Sequence, residues 1–418
     1  MRFAMVTTFY PPYHFGGDAT YVRGLTHALA RRGHDVTVVH QKDAHSLLSR
    51  ASPPKPLYEP ARVQIHALES HFPALTCLAT HQTGYPVVHH RQVRELLSQN
   101  FDVIHYQNIS LMGGPAILSY GDGLKIYTTH DHWLVCPTHT LWRHNRELCT
   151  GRQCLTCAAR YNRPPQLWRY GSWLERQCQH VDAFTATSQS CIDRHRRFGF
   201  KFPMRVIPPF LNEASTEPAT PADAPDVDRP YYLFAGRLEL IKGLQDVIPI
   251  IEADAPFDLR IAGAGTYEQE LRKLAQNKPN IKFLGYQPPT ALRSLYKGAL
   301  AVVMPSLCYE VFPLVAIEAF REGAPIIARN REPYPELAEQ SGGVILFDTQ
   351  QDLQSTLGQL ASDSERRSTL SRAGFAAYER NWTEQVAVDR YLAMIDEVGR
   401  DRPSVGGLTS TGVVTTGR

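Results

Sequence analysis

The sequence predicts an α/β protein of two doubly wound, Rossmann-like domains facing each other across a cleft. Three observations predict it. Short β-branched runs alternate with helical stretches through the first half, and the alternation restarts after a break. The 418 residues are too many for one ordinary core and suit two domains of roughly 200 residues. Residues 211–229, LNEASTEPATPADAPDVDR, separate the two series; rich in Pro, Ala and acid and without an apolar period, they read as a linker.

The first domain is expected over 1–210. FAMVTTF (3–9) reads as a buried strand, and DATYVRGLTHALARR (18–32) puts Tyr21, Leu25, Ala28 and Leu29 on one helical face before Gly33 stops it. DVTVVH (35–40), RVQIHAL (62–68), DVIHYQ (102–107), LKIYTT (124–129) and DAFTATS (182–188) continue the strands, with QVRELLSQN (92–100) and QLWRYGSWLERQCQH (166–180) helical between them. The second domain, 230–382, repeats the pattern with YYLFAG (231–236), DLRIAG (258–263), IKFLG (281–285), LAVVMP (300–305), APIIA (324–328) and GVILF (343–347). A last helix, 383–402, carries Val386, Tyr391, Leu392, Met394, Ile395 and Val398, and PSVGGLTSTGVVTTGR (403–418) has no core-forming pattern and is expected to be a disordered tail.

A hydrophobic share of 43% and a charged share of 20% exclude a mainly disordered, collagen-like or coiled-coil chain. No uncharged apolar run reaches the roughly 18 residues of a membrane span. The opening MRFAMVTTFYPP lacks the apolar core of a signal peptide, and with no export signal the eight cysteines are expected in a reducing cytosol. The net charge of +3 conceals an asymmetry: residues 1–210 hold 23 Lys+Arg against 13 Asp+Glu, and 211–418 hold 21 against 28. A basic first domain fits an anionic acceptor or an acidic membrane surface, and equally a simple attraction between the two halves. RHRRFGFKFPMR (194–205) interleaves cations with aromatics; a solvated helix face or a surface for an anionic acceptor suits it better than nucleic acid, which is not expected as a partner.

Four segments carry the chemistry. In YEVFPLVAIEAF (309–320), Glu310 precedes a helix and Glu318 lies two turns inside it. A carboxylate at the first position can hold a hydroxylated ligand, and one at the second both hydroxyls of a ribose. The amides around Pro313, Leu314 and Val315 open the helix, where a diphosphate is favoured. Spacing alone also fits two solvated glutamates, but Glu318 sits among apolar residues and needs a partner there. In FAGRLELIKGL (234–244), Arg237 and Lys242 follow a strand end and can neutralise a diphosphate leaving group. Gly16 and Gly17, after the first strand, allow close backbone approach to a ligand. Gly263 in IAGAGTYE is a weaker version of the same signal, because position 268 is Glu and the dinucleotide fingerprint is incomplete. His130, in TTHDHW (128–133), ends a strand at the face where such sheets bind ligands.

These segments, in this order, resemble glycosyltransferase family 4, the retaining nucleotide-sugar glycosyltransferases, over nearly the whole chain. The resemblance implies the two-domain GT-B fold, with the nucleotide sugar in the C-terminal domain, the acceptor in the N-terminal domain, and the last helix crossing back to the N-terminal domain. It implies that Arg237 and Lys242 bind the donor diphosphate, that Glu318 binds the ribose, and that Glu310 and His130 lie beside the donor sugar. Gly17 would approach the diphosphate and acceptor. Pro313 stands where many members have Gly. The implied activity is transfer of a hexose from a nucleoside-diphosphate sugar to a glycan, glycolipid or metabolite, with retention, by a front-face route in which the leaving diphosphate takes the acceptor proton. No metal is required for that chemistry, and no Asp-x-Asp motif stands near the donor segments. A GT-B sugar phosphorylase or a non-catalytic nucleotide-sugar-binding protein is the alternative. The expected location is cytoplasmic, with the basic domain able to meet the inner membrane face.

Cys136, Cys149, Cys154 and Cys157, in a loop expected over 132–160, end in a Cys-x2-Cys knuckle. Structural zinc, free thiols and disulfides all fit that spacing. None of the three places these cysteines in the reaction.

Overall fold

The computed structural model describes residues 1–49, 57–211 and 229–402; the expected tail (403–418) and all but the ends of the expected linker lie outside them. The N-terminal strands are β1 (Arg2–Val6), β2 (Asp35–Gln41), β3 (Val63–Leu68), β4 (Val103–Tyr106) and β5 (Leu124–Thr129). A hairpin of β6 (Trp142–Arg143) and β7 (Glu147–Leu148) interrupts the series, which resumes with β8 (Ala183–Ala186) and β9 (Met204–Val206). The C-terminal strands are β10 (Tyr231–Ala235), β11 (Asp258–Ala262), β12 (Ile281–Gly285), β13 (Val302–Met304), β14 (Ile326–Arg329) and β15 (Val344–Phe347).

The first sheet runs β3-β2-β1-β4-β5-β8-β9 and the second β12-β11-β10-β13-β14-β15. The pairings within both are parallel. Each order reverses beside its first strand, which opens a crevice at the carboxyl ends of the strands. The two domains are therefore Rossmann-like, and the molecule has the GT-B architecture.

The strands read as unbroken apolar runs because both faces are covered. Ala4 and Val6 of β1 join one cluster with Ile104 and Tyr106, while Phe3 and Met5 join another with Leu25 and Leu29. Tyr231 and Leu233 of β10 point to one face of the second sheet, and Tyr232 and Phe234 to the other. The helix Glu384–Asp401 starts on Thr383, whose hydroxyl accepts from the Val386 amide. Val388, Tyr391, Met394, Ile395 and Val398 then pack on the N-terminal domain, and Arg205 pairs with Glu397 at 2.7 Å.

Three local expectations are corrected. Residues 166–180 are not one helix: a 3-10 turn, Leu167–Tyr170, is separated by Gly171 and Ser172 from a helix, Trp173–Cys178. The basic segment 194–205 is not one helix face: the helix Gln189–Arg197 ends there, Gly199 takes φ +89°, and β9 follows. Glu318 is the fifth residue of the helix Leu314–Arg321, a little over one turn inside rather than two. No helix among the described residues is long and apolar enough to cross a membrane.

Candidate active site

Lys242 and Glu310, expected on the donor side, lie on loops that leave the carboxyl ends of β10 and β13. Lys242 ends a 3-10 turn, Leu240–Lys242, after β10. Gly243 follows with φ +78°, and a Cβ there would stand 2.0 Å from the Pro305 carbonyl oxygen. Only glycine allows the loop after β10 to pack this closely on the loop after β13. The contact brings Lys242 Nζ within 2.6 Å of Glu310 Oε1, and Ser306 Oγ donates to the same oxygen at 2.7 Å. Burial acts to raise the Glu310 carboxyl, but Lys242, Ser306 and Arg237 outweigh it and hold it below the ordinary value. Burial likewise acts to lower the Lys242 ammonium, and Glu310 holds it above its ordinary value. Both groups are charged at neutral pH.

Arg237 behaves differently. Its side chain is 63% exposed and pairs with Glu239 at 2.7 Å. It reaches the Lys242–Glu310 pair only through space, as a positive charge acting on both.

Pro313 caps the helix Leu314–Arg321 without a side-chain acceptor, so this N-terminus relies on other partners for its first amides. Glu318, in that helix, receives the hydroxyl of buried Tyr296 on Oε2 at 2.7 Å. Burial raises its carboxyl, opposed by Tyr296 and Arg321.

Across the cleft, Gly16 caps the helix Gly17–Arg31 with φ +118°. A Cβ on Gly17 would lie 2.7 Å from Leu314 Cδ1, so the two domains touch at the opening turn of the helix Leu314–Arg321. His130 follows β5. Its Nε2 is bonded to Gln107 Oε1, so Nε2–H is the donor and Nδ1 keeps its lone pair. Burial lowers the His130 imidazole, opposed by Asp18 and Asp131, and the ring is neutral at pH 7.

The structure thus brings Lys242, Glu310, Leu314 and Gly17 to one closed cleft, with Val315 and Glu318 on the helix that Leu314 opens and His130 on the facing domain. Gly263 serves the backbone: at φ +142° a Cβ would stand 1.9 Å from the Gly236 carbonyl oxygen, so it lets two strand ends pack. Ser306, Tyr296 and Gln107 were not found from sequence. Tyr296 lies in the helix Pro289–Gly298, and its hydroxyl gave no sign of a partner 22 residues away.

Cys136, Cys149, Cys154 and Cys157 line one small cavity, and all eight cysteines are free thiols. Among the described residues, no group of three or more His, Cys, Asp or Glu side chains is placed to hold a metal ion. A cavity of about 410 Å³ lies between this loop and Phe200–Phe202, away from Lys242 and Glu310. The convergence of charged groups at the strand ends marks the candidate site.

Two family models match the chain: "Glycosyltransferase Family 4" over residues 15–215 and "Glycosyl transferases group 1" over 217–377. The chain belongs to glycosyltransferase family 4. It is 28% identical over 241 residues to a GDP-mannose-dependent monoacylated alpha-(1-6)-phosphatidylinositol monomannoside mannosyltransferase of Corynebacterium glutamicum, covering 53% of this chain and 63% of that protein. It thus spans less than two thirds of that relative. It is 28% identical over 344 residues to a glycogen synthase of Mycobacterium tuberculosis, covering 79% of this chain and 78% of that one. The fold is that of sucrose-phosphate synthase from Thermosynechococcus elongatus: TM-score 0.72 at 18% identity, covering 96% of this chain and all of that one, 100%. Anabaena HepE in complex with UDP matches with TM-score 0.66 at 15% identity, covering 95% of this chain and 100% of that one.

Proposed function

We propose that this family 4 member is a retaining glycosyltransferase. It takes a hexose from a nucleoside-diphosphate sugar and delivers it to a glycan, glycolipid or metabolite acceptor in the N-terminal half of the cleft. One observation carries this reading. A half-buried ammonium–carboxylate pair, Lys242–Glu310, stands just before a helix N-terminus that bears a second carboxylate, Glu318. Lys242 and the opening amides would take the diphosphate, Glu318 the ribose, and Glu310 a donor-sugar hydroxyl.

The chemistry follows from where charge develops. As the anomeric bond breaks, negative charge grows on the leaving diphosphate, beside Lys242, Arg237 and the helix dipole. The diphosphate oxygen then accepts the acceptor proton on the same face, which retains configuration. This supply of positive charge makes a metal unnecessary. His130, neutral, offers Nδ1 as an acceptor to a sugar hydroxyl rather than a second cation. Closure at Gly17–Leu314 excludes water from the donor. UDP in the HepE complex and GDP-mannose in the Corynebacterium protein are the donor chemistries to try first. The basic N-terminal domain suits an anionic acceptor, including one at the cytoplasmic membrane face.

The test is a panel of UDP-, GDP- and ADP-sugars read by thermal shift, then by turnover. A donor at 100 times its Kd stabilises by about 2.7 kcal/mol. Activity that survives EDTA, with a product of unchanged anomeric configuration by NMR, is the expected outcome. No shift with any sugar nucleotide overturns the donor assignment, and binding without turnover under any acceptor reduces the chain to a binding protein.

A further inference from the structure

The N-terminal domain reaches across the cleft and holds the loop that carries Glu310. The segment responsible begins where β8 ends. Thr187 Oγ1 and Ser188 Oγ both donate to the Val311 carbonyl oxygen, at 3.2 and 3.0 Å. The helix Gln189–Arg197 then starts, and its first amides find an acceptor in the opposite domain: Gln189 N and Ser190 N each donate to the Glu336 carboxylate at 2.8 Å. One turn further on, Arg194 is fully buried. Its Nε donates to His132 Nε2 at 3.1 Å, Nη1 to Glu332 Oε2 at 2.9 Å, and Nη2 to the Glu310 carbonyl oxygen at 2.6 Å. The guanidinium also lies 5.1 Å from the centre of the Tyr309 ring.

We propose that Arg194 is a positioning residue that sets the Glu310 carboxylate against Lys242 when the domains close. The consecutive carbonyls of Glu310 and Val311 are each held by the N-terminal domain, while the Glu310 side chain faces Lys242 and Ser306 of its own domain. Two successive carbonyls held in direction restrict the backbone that carries the Glu310 side chain, and so the directions in which that side chain can leave it. Glu332, the other acceptor on the C-terminal side, is joined to the same loop through its carbonyl, which receives the Glu310 amide at 3.4 Å. A rigid planar fork serves three acceptors at once, which a lysine ammonium at the end of a flexible stem does not reproduce. Opening the cleft would part this cation from Glu332, the Glu310 carbonyl and the Tyr309 ring and leave it His132, so the contact favours the closed state. His132 lies two residues from His130, and one side chain thereby ties the loop of the acceptor-side histidine to the loop of the donor-side acid. This rests on the donor reading of Glu310 only for its catalytic consequence; the positioning itself can be measured without substrate.

The experiment uses the full chain without nucleotide, well below each variant's melting temperature. Arg194→Met and Glu332→Gln are compared with the parent by hydrogen exchange of peptides covering 306–313 and by acetic anhydride labelling of Lys242, with exposed Lys201 as internal control. Exchange at 306–313 is expected to quicken about tenfold in Arg194→Met and less in Glu332→Gln, and Lys242 labelling to rise several-fold as its carboxylate partner moves away. Arg194→Lys, which keeps the charge and loses the fork, should resemble Arg194→Met. Unchanged Lys242 labelling in variants that fold overturns the proposal, as does unchanged exchange. Should Arg194→Met fail to fold, Glu332→Gln decides in the same way. Loss of these effects while a sugar nucleotide still binds sinks the positioning role alone; their presence with no donor binding sinks the donor reading alone.

Discussion

Gly17 is a close contact between the domains, and an added methyl there has a calculable effect. A Cβ at Gly17 would stand 2.7 Å from Leu314 Cδ1 and 3.9 Å from Leu314 Cγ. Carbon atoms in contact sit about 3.5–4.0 Å apart, so only the terminal methyl is short, by about 1 Å. Either the cleft opens by that amount or Leu314 turns off its rotamer, at about 0.5–1.5 kcal/mol. Because Leu314 opens the donor helix, Gly17→Ala should weaken binding of the nucleoside diphosphate roughly 3- to 10-fold. The helix itself gains: Ala is favoured over Gly within helices by up to about 1 kcal/mol, so the melting temperature should hold or rise. Titration calorimetry with the nucleotide found in the panel, beside a thermal melt, separates the two effects. Leu314→Ala removes the colliding methyl and should restore affinity in the double variant relative to Gly17→Ala. Unaltered affinity in Gly17→Ala refutes the closed contact, and so does failure of Leu314→Ala to compensate.

Tyr296→Phe removes the 2.7 Å bond to Glu318; since that bond lowers the carboxyl, the variant's nucleotide affinity should fall off at a higher pH than the parent's, in calorimetry across pH 5–8. Burial holds His40 and His195 down at about 4 and His105 at about 3. These rings are neutral in the fold and charge more readily when unfolded, so stability should fall as pH drops below about 6.5, by about 2 kcal/mol per ring at pH 5; a denaturation midpoint flat from pH 7.5 to 5 contradicts this. All eight cysteines should react with a thiol reagent in guanidinium without reductant, and only half-buried Cys149 and Cys154 quickly in the native state. Fewer than eight reveals a disulfide, and a fast count that rises with a chelator reveals bound metal.

What could be read from sequence was local in the chain. Lys242 and Glu310 each follow an apolar strand by a few residues, and the parallel-sheet rule then brings the loops to one edge. Gly16 and Gly17 were legible for the same reason. The partners that orient these groups were not. Arg194 lies 138 residues from Glu332 and 116 from Glu310, and Ser190 lies 146 from Glu336. In sequence Arg194 was one cation in a basic run, and nothing local distinguishes it from the exposed Arg196 and Arg197. The misread helix at 166–180 carried its own warning in Gly171, a breaker overruled by the apolar spacing around it.

The terminal helix connects the fold to the chemistry more closely than a mere cover would. Without it, the face of the first sheet formed by Phe3, Met5 and their neighbours would lack Val388, Tyr391 and Ile395. Tyr391 does more than fill space: its hydroxyl lies 2.8 Å from His105 Nδ1, and the two rings stack with centroids 5.2 Å apart. His105 Nε2 lies 2.7 Å from the Thr128 hydroxyl, and Gln107, whose amide nitrogen is bonded to the His105 ring, accepts from His130. A chain of hydrogen bonds therefore runs from a helix that follows the C-terminal domain to the imidazole on the acceptor side. Buried polar chains of this kind fix orientation when every member is satisfied. The C-terminal segment thus contributes to the facing domain twice, through the apolar seam and through the tautomer and direction of His130.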